Sequence, residues 1–287
     1  MTTARSKGPR ALPRAALPTG PAALLIADAE ERAAIEPVLK TGGLALTTRL
    51  IDIRDFDLEN FLLDLEDAFE GPLARTAVVV VAADLLVDAR IDIINLLDQI
   101  LEPGRPILVS CSQATATEQS ALADHPQRIV GFSMLPLLGG HRVIEVAGTA
   151  RTDPAIVERV RALFQAGGLV ARSVEDRPGL VLARILAPIV HEAANALDEG
   201  VATAQAIDDA MRLGAEWPFG PLRWADGVGL HRLLLVMEFL QRNYEDARYR
   251  PAPIIRRLAL SGMVGKASGQ GFYRYEPEAQ PRPRPAR

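Results

Sequence analysis

Apolar positions along the first 175 residues follow two rhythms. Short, nearly unbroken apolar or β-branched runs predict strands at Ala22–Ala27, Leu44–Ile51, Thr76–Ala83, Pro106–Cys111, Ile129–Met134, Val143–Ala147 and Leu169–Val174. The valine run within Thr76–Ala83 is what a strand covered on both faces requires. Between these runs the apolar residues recur at helical spacing. Ala29–Lys40 carries Ala33, Ala34, Pro37 and Val38 and stops at Gly42-Gly43. Leu58–Phe69 carries Phe61, Leu62, Leu65, Ala68 and Phe69. Ile91–Leu101 ends at Pro103-Gly104, and Asp153 N-caps a helix through Gln165 that Gly167-Gly168 closes. Strand–helix–strand repetition predicts parallel pairing with helices over both faces, an α/β, Rossmann-like, doubly wound sheet.

After Arg177 the strand rhythm disappears. Pro178–Asp198 places Leu182, Ile185, Leu186, Ile189, Val190 and Ala193 on one side and stops at Gly200. Thr203 caps a helix through Leu213, and Leu230–Gln241 and Ile254–Leu260 follow. The expected organisation is a tail over 1–20, the sheet domain over 21–176, an all-helical domain over 177–276 and a second tail over 277–287. Both tails are Pro- and Arg-rich, too poor in apolar surface to offset their ordering entropy, and the first lacks the apolar core of a secretory signal.

Charge sharpens this division. The formal net charge is −4, residues 1–20 carry +4 and residues 279–287 carry +3, and residues 21–278 therefore hold −11. An acidic body argues against a nucleic-acid surface. No run approaches the ~18 apolar residues of a membrane helix. One cysteine, Cys111, excludes an internal disulfide and a cysteine-based zinc cluster and fits a cytoplasmic setting. Only three lysines occur, so a lysine Schiff base has almost no candidates. None of the four histidines has a partner at metal-ligand spacing, and no metal site is expected.

The helical half carries ordered signals beyond composition: Pro178-Gly179, Asp208, Gly214, Gly220-Pro221, Asp226, Gly229, and an ending Lys266…Gly269-x-Gly271-Phe272-Tyr273. Spread over about a hundred residues, these resemble the C-terminal domain of the 3-hydroxyacyl-CoA dehydrogenases. The segment Arg128–Val146 is similar to the family stretch that bears its catalytic histidine and glutamate. The resemblance implies a nucleotide-binding α/β domain followed by a helical domain that builds a homodimer. It also implies hydride transfer between the C3 hydroxyl of an acyl-CoA and NAD, with a histidine–glutamate pair as general base.

Residue by residue, the chemistry departs from that pattern. The three glycine positions of the dinucleotide fingerprint fall on Ala27, Ala29 and Arg32. Methyl groups crowd the turn, and Asp28, Glu30 and Glu31 bring negative charge to the helix end where a pyrophosphate would sit; Arg32 offsets this only in part. Binding of NAD at this turn is thus expected to be strongly impaired or lost. The ribose-binding acid aligns with Leu50, with Asp52 nearby. Glu145 falls on the family's glutamate, but Ser133 stands at the histidine, and a serine hydroxyl does not take a proton at neutral pH as imidazole does. Two asparagine positions are also lost: the one after the histidine falls at Leu135 or Pro136, and the one in the first C-terminal helix at Ala183. A serine-rich turn survives as Ser110-Cys111-Ser112-Gln113. Glu145, Ser133 and Ser112 are the expected site-lining residues.

Other candidates have plainer readings. His141 lies four residues before Glu145, either a relocated partner or a histidine in the Gly139-Gly140 loop. Cys111 reads as a small buried hydrophobe, Lys266 and its glycines as a turn or a phosphate contact, and Trp217 and Trp224 as anchors of helical packing. Two functions remain: a diverged 3-hydroxyacyl-CoA dehydrogenase, or a relative that binds acyl-CoA or a partner subunit without catalysis.

Overall fold

In the computed structural model, the described residues are 22–52, 55–69, 73, 76–133 and 143–276. Strands β1 (Ala22–Ala27), β2 (Ala45–Leu50), β3 (Thr76–Val81), β4 (Ile107–Ser110), β5 (Ile129–Ser133), β6 (Val143–Gly148) and β7 (Val170–Glu175) form one sheet in the order β2-β1-β3-β4-β5-β6-β7. Helices α1 (Ala29–Thr41), α2 (Leu58–Phe69), α3 (Val87–Ile100), α4 (Ala116–Gln119) and α5 (Pro154–Ala166) connect the strands. The chain order turns back between β1 and β3, which makes the C-terminal ends of those strands the switch point where such sheets open a crevice.

Pairing is parallel everywhere except between β5 and β6, which run antiparallel. This corrects the expectation of uniform parallel pairing. A parallel return needs a crossover of a dozen or more residues, whereas only residues 134–142 join these two strands. The sheet is buried on both faces. Leu24, Ile26, Val79, Val81, Ile93 and Ile107 pack on one side, and Leu25, Ile35, Val80, Val130, Val160 and Phe164 on the other. At the strands' N-terminal ends, Asp98 and Arg128 form a buried ion pair at 2.6 Å that ties α3 to the turn before β5.

Five helices follow: α6 (Leu182–Asp198), α7 (Ala204–Asp209), α8 (Pro221–Val228), α9 (Leu230–Tyr244) and α10 (Pro253–Leu260). Their core is built by Val190, Ala194, Leu222, Trp224, Leu233, Met237 and Ile255. Trp224 is central, as expected, while Trp217 is half-buried. Three boundaries differ from the sequence reading by four residues. α3 starts at Val87 rather than Ile91, α6 at Leu182 rather than Pro178, and α7 passes at Ala210 into a π turn through Gly214. Helix α8 was not expected at all. Proline is suited to a first helical position, and Asp208 accepts the N–H groups of Leu222 and Arg223. The two tails and His141 lie outside the described residues.

Candidate functional site

The switch point is filled by charged side chains. Asp28, the residue after β1, N-caps α1: its Oδ1 accepts the N–H groups of Glu30 and Glu31 at 2.9 and 3.0 Å. Those are donors that a helix N-terminus otherwise offers to a bound anion. Asp84, beyond the end of β3, is the hub. Its N–H reaches Asp28 Oδ2, and its Oδ1 accepts from Ser112 Oγ at 3.3 Å and Gln113 Nε2 at 3.1 Å. Its Oδ2 accepts from Arg232 Nε at 2.9 Å.

Arg232 comes from the first turn of α9, in the helical half. Its guanidinium also lies 3.4 Å from Glu30, 3.4 Å from Glu31 and 3.8 Å from Asp28. The residue is 3% exposed. Four carboxylates thus surround one arginine. The excess negative charge and the burial together push the Glu31 carboxyl up to about 8, burial being the larger cause.

Ala27 is fully buried at the end of β1, and Ala29 opens α1. Arg32 does not offset the acids of the turn. It lies on the exposed face of α1 and pairs with Glu36 at 2.5 Å; Arg232 supplies the countercharge instead. Leu50 ends β2 and is 54% exposed, and Asp52 is exposed in the loop that follows. The residues present therefore do not fit a dinucleotide diphosphate: the helix end is capped by a carboxylate, and a guanidinium from the other half of the chain occupies the space before it.

Ser133 and Glu145, the two positions to which the resemblance assigns the histidine and the glutamate, are direct cross-strand partners on β5 and β6. Glu145 serves the backbone. Its Oε1 accepts the N–H groups of Val181 and Leu182 at the start of α6, at 3.1 and 3.0 Å, and its Oε2 is buried without a partner. Burial raises its carboxyl above the ordinary range, against the two backbone hydrogen bonds. Ser112 turns to Asp84, not to this pair. Cys111 is buried against Gly131, and burial pushes its thiol up, away from the thiolate a nucleophile needs. His191 bonds Asn195 along α6. Among the described residues no group of three or more His, Cys, Asp or Glu side chains can hold a metal.

The signature of the helical half has a packing explanation. Asp226 accepts the N–H groups of Phe272 and Tyr273, both at 2.9 Å, and the Tyr275 hydroxyl; Asp208 accepts the Tyr273 hydroxyl. A Cβ on Gly265 or Gly271 would collide with Asp226, and one on Gly220 with Asp208. Gly179, at φ +75°, would meet Leu240 at 2.6 Å. Lys266 and its glycines thus form a turn closed onto Asp226. Beside it a cavity of about 800 Å³ opens against α1, lined by Glu30, Ala33, Gly229, Arg232 and Ser268; Ser112, Ser133 and Glu145 do not line it.

Sequence reasoning missed Arg232 and Asp84. A signal existed: Arg232 lies one and two turns before the buried Val236 and Phe239, a charge on an apolar stripe that demands a buried partner.

A family model described as 3-hydroxyacyl-CoA dehydrogenase, C-terminal domain, matches residues 179–275. A probable 3-hydroxybutyryl-CoA dehydrogenase of Bacillus subtilis is 37% identical over 188 residues, 66% of each chain, so this chain spans just under two thirds of that relative. A probable 3-hydroxybutyryl-CoA dehydrogenase of Deinococcus radiodurans is 32% identical over 75% of this chain and 76% of its own. The crystal structure of (S)-3-hydroxybutyryl-CoA dehydrogenase from Ralstonia eutropha superposes with a TM-score of 0.71 at 26% identity, covering 90% of this chain and 100% of that one. The chain belongs to the 3-hydroxyacyl-CoA dehydrogenase family. Among the described residues no helix is long and apolar enough to cross a membrane.

Proposed function

We propose that this chain is a 3-hydroxyacyl-CoA dehydrogenase-like oxidoreductase with a diverged site, acting on a 3-hydroxyacyl-CoA or its 3-oxo partner. The observation that carries the reading is agreement over nearly the whole chain with a 3-hydroxybutyryl-CoA dehydrogenase, together with the Ser133–Glu145 pair beside the start of α6. NAD is the cofactor that the resemblance implies. The residues at the switch point do not fit it in the family manner.

What the chain's own groups do is limited. Ser133 Oγ can donate a hydrogen bond to a substrate oxygen but does not remove a proton. Glu145 is committed at one oxygen to the α6 backbone. Loss of a general base lowers the rate by about 10²–10⁴-fold, so turnover is expected to be slow. The sequence alone leaves open a relative without catalysis; the named relatives give that alternative no support. The active form is read as a cytoplasmic homodimer through the helical half, where Val181, Ile185, Leu213 and Leu260 are exposed apolar side chains.

Calorimetry with acetoacetyl-CoA and the loss of nicotinamide absorbance with acetoacetyl-CoA plus NADH test the reading. The expected result is saturable acetoacetyl-CoA binding with slow NADH consumption. Ser133→His, which sets an imidazole opposite Glu145, should raise that rate by about a hundredfold. No acetoacetyl-CoA binding at millimolar ligand would overturn the substrate class. No turnover in either protein would overturn the redox reading.

A further inference from the structure

Arg232 crosses from one half of the molecule to the other, and its partners are all at the crevice. Its backbone is held rigidly: Leu230, Leu233, Leu234 and Val236 around it are buried in the helical core. Its guanidinium lies among Asp28, Glu30, Glu31 and Asp84, which come from the turns after β1 and β3. Arg90, fully buried on α3 and within reach of the Asp84 charge, donates to Ser110 O and has Nε and Nη2 unpaired. Breaking a buried ion pair by removing one partner is far costlier than breaking an exposed one, because the remaining charge is left uncompensated. Withdrawing Arg232 would leave these four carboxyl groups facing one another across the switch point with no countercharge from the helical half.

We propose that Arg232 is an inter-half latch that stands where the diphosphate of a dinucleotide lies in a fingerprint-bearing sheet. Such a sheet leaves the α1 N-terminus free, and an incoming anion supplies the negative charge. Here the anion is built in as Asp28, and its counter-ion is built in as Arg232. The helical half is thereby fastened to the sheet by the chain's own charges, and its closure needs no cofactor. A second strap acts in the same sense: Glu145 on β6 accepts the first N–H groups of α6. A ligand entering the crevice meets the closed form and gains only the fraction of its intrinsic affinity that the unlatched population allows. The inference deepens the reading of a diverged dehydrogenase, but it concerns closure of the halves and not the substrate.

Amide hydrogen exchange and thermal unfolding of the full chain, with and without millimolar NADH, test the latch. Arg232→Met keeps the stem's packing and removes the charge. It is expected to speed exchange in the first turns of α1 and α9 by about tenfold or more, while the Asp98–Arg128 region exchanges as before. NADH is expected to raise the melting temperature and slow the α1 exchange of Arg232→Met more than those of the wild-type chain, because the latched form admits only a fraction of it. Asp84→Asn probes the contact from the sheet side if Arg232→Met does not fold, and it should loosen the same two turns. Unchanged exchange in the charge-removing variants would overturn the latch. So would NADH protecting the α1 first turn of the wild-type chain as strongly as that of Arg232→Met, because the cofactor would then be seated with the latch closed. Binding of acetoacetyl-CoA is a separate measurement, and its failure leaves this result standing.

Discussion

Asp28 shows how one side chain changes the use of a helix end. The N–H groups of Glu30 and Glu31 are satisfied by its carboxylate, and that carboxylate needs a cation, which α9 supplies. Glu31 follows from the same crowding. Its carboxyl, pushed from the ordinary 4.5 up to about 8, faces Asp28, Glu30, Asp84, Arg232 and Arg90. Between those two values the folded chain keeps a proton that the unfolded chain has released. Stability from this group is therefore full below about 4.5 and is lost as pH rises through about 8. Urea midpoints measured at the two ends of that window should fall with rising pH, and Glu31→Gln should flatten the slope. An equal slope in the variant would show that Glu31 is ionised throughout.

At the scale of elements, the helical half is organised by two buried aspartates. Asp208 supplies the missing acceptors at the start of α8, and Asp226 does the same for the Phe272–Tyr273 backbone. Glycines at 220, 265 and 271 let the backbone come that close. Gly271→Ala drives a methyl group into the Asp226 carboxylate and should cost about 2–4 kcal/mol, read as a lowered urea midpoint. A loss within about 0.5 kcal/mol would show that the turn relaxes freely. These spaced residues carried the resemblance because they hold the architecture together. Helix α8 is not legible in the sequence because its cap is fourteen residues away on α7, and no local pattern reveals a cap that comes from another element.

The whole molecule joins a sheet to a helical half through Glu145, Arg232 and Leu180, which is buried in the sheet's core at φ +47°. The exposed apolar residues of the helical half predict association. Light scattering should give twice the 31.0 kDa chain mass, and Ile185→Asp should shift it toward the monomer. A monomeric wild type would remove the dimer from the reading.

Local order was open to inspection in the chain itself. Strands buried on both faces must be apolar throughout, helices must alternate, and caps such as Asp28 and Asp153 lie beside the ends they serve. Identities at single positions also set the departures from the resemblance, with no glycines where it implies a fingerprint and no histidine where it implies a catalytic pair. Folding alone brought Arg232 to Asp84, separated by 148 positions in the chain, and turned Glu145 to the α6 backbone. Burial makes an unpaired charge costly, and only the folded chain determines which distant charge answers it.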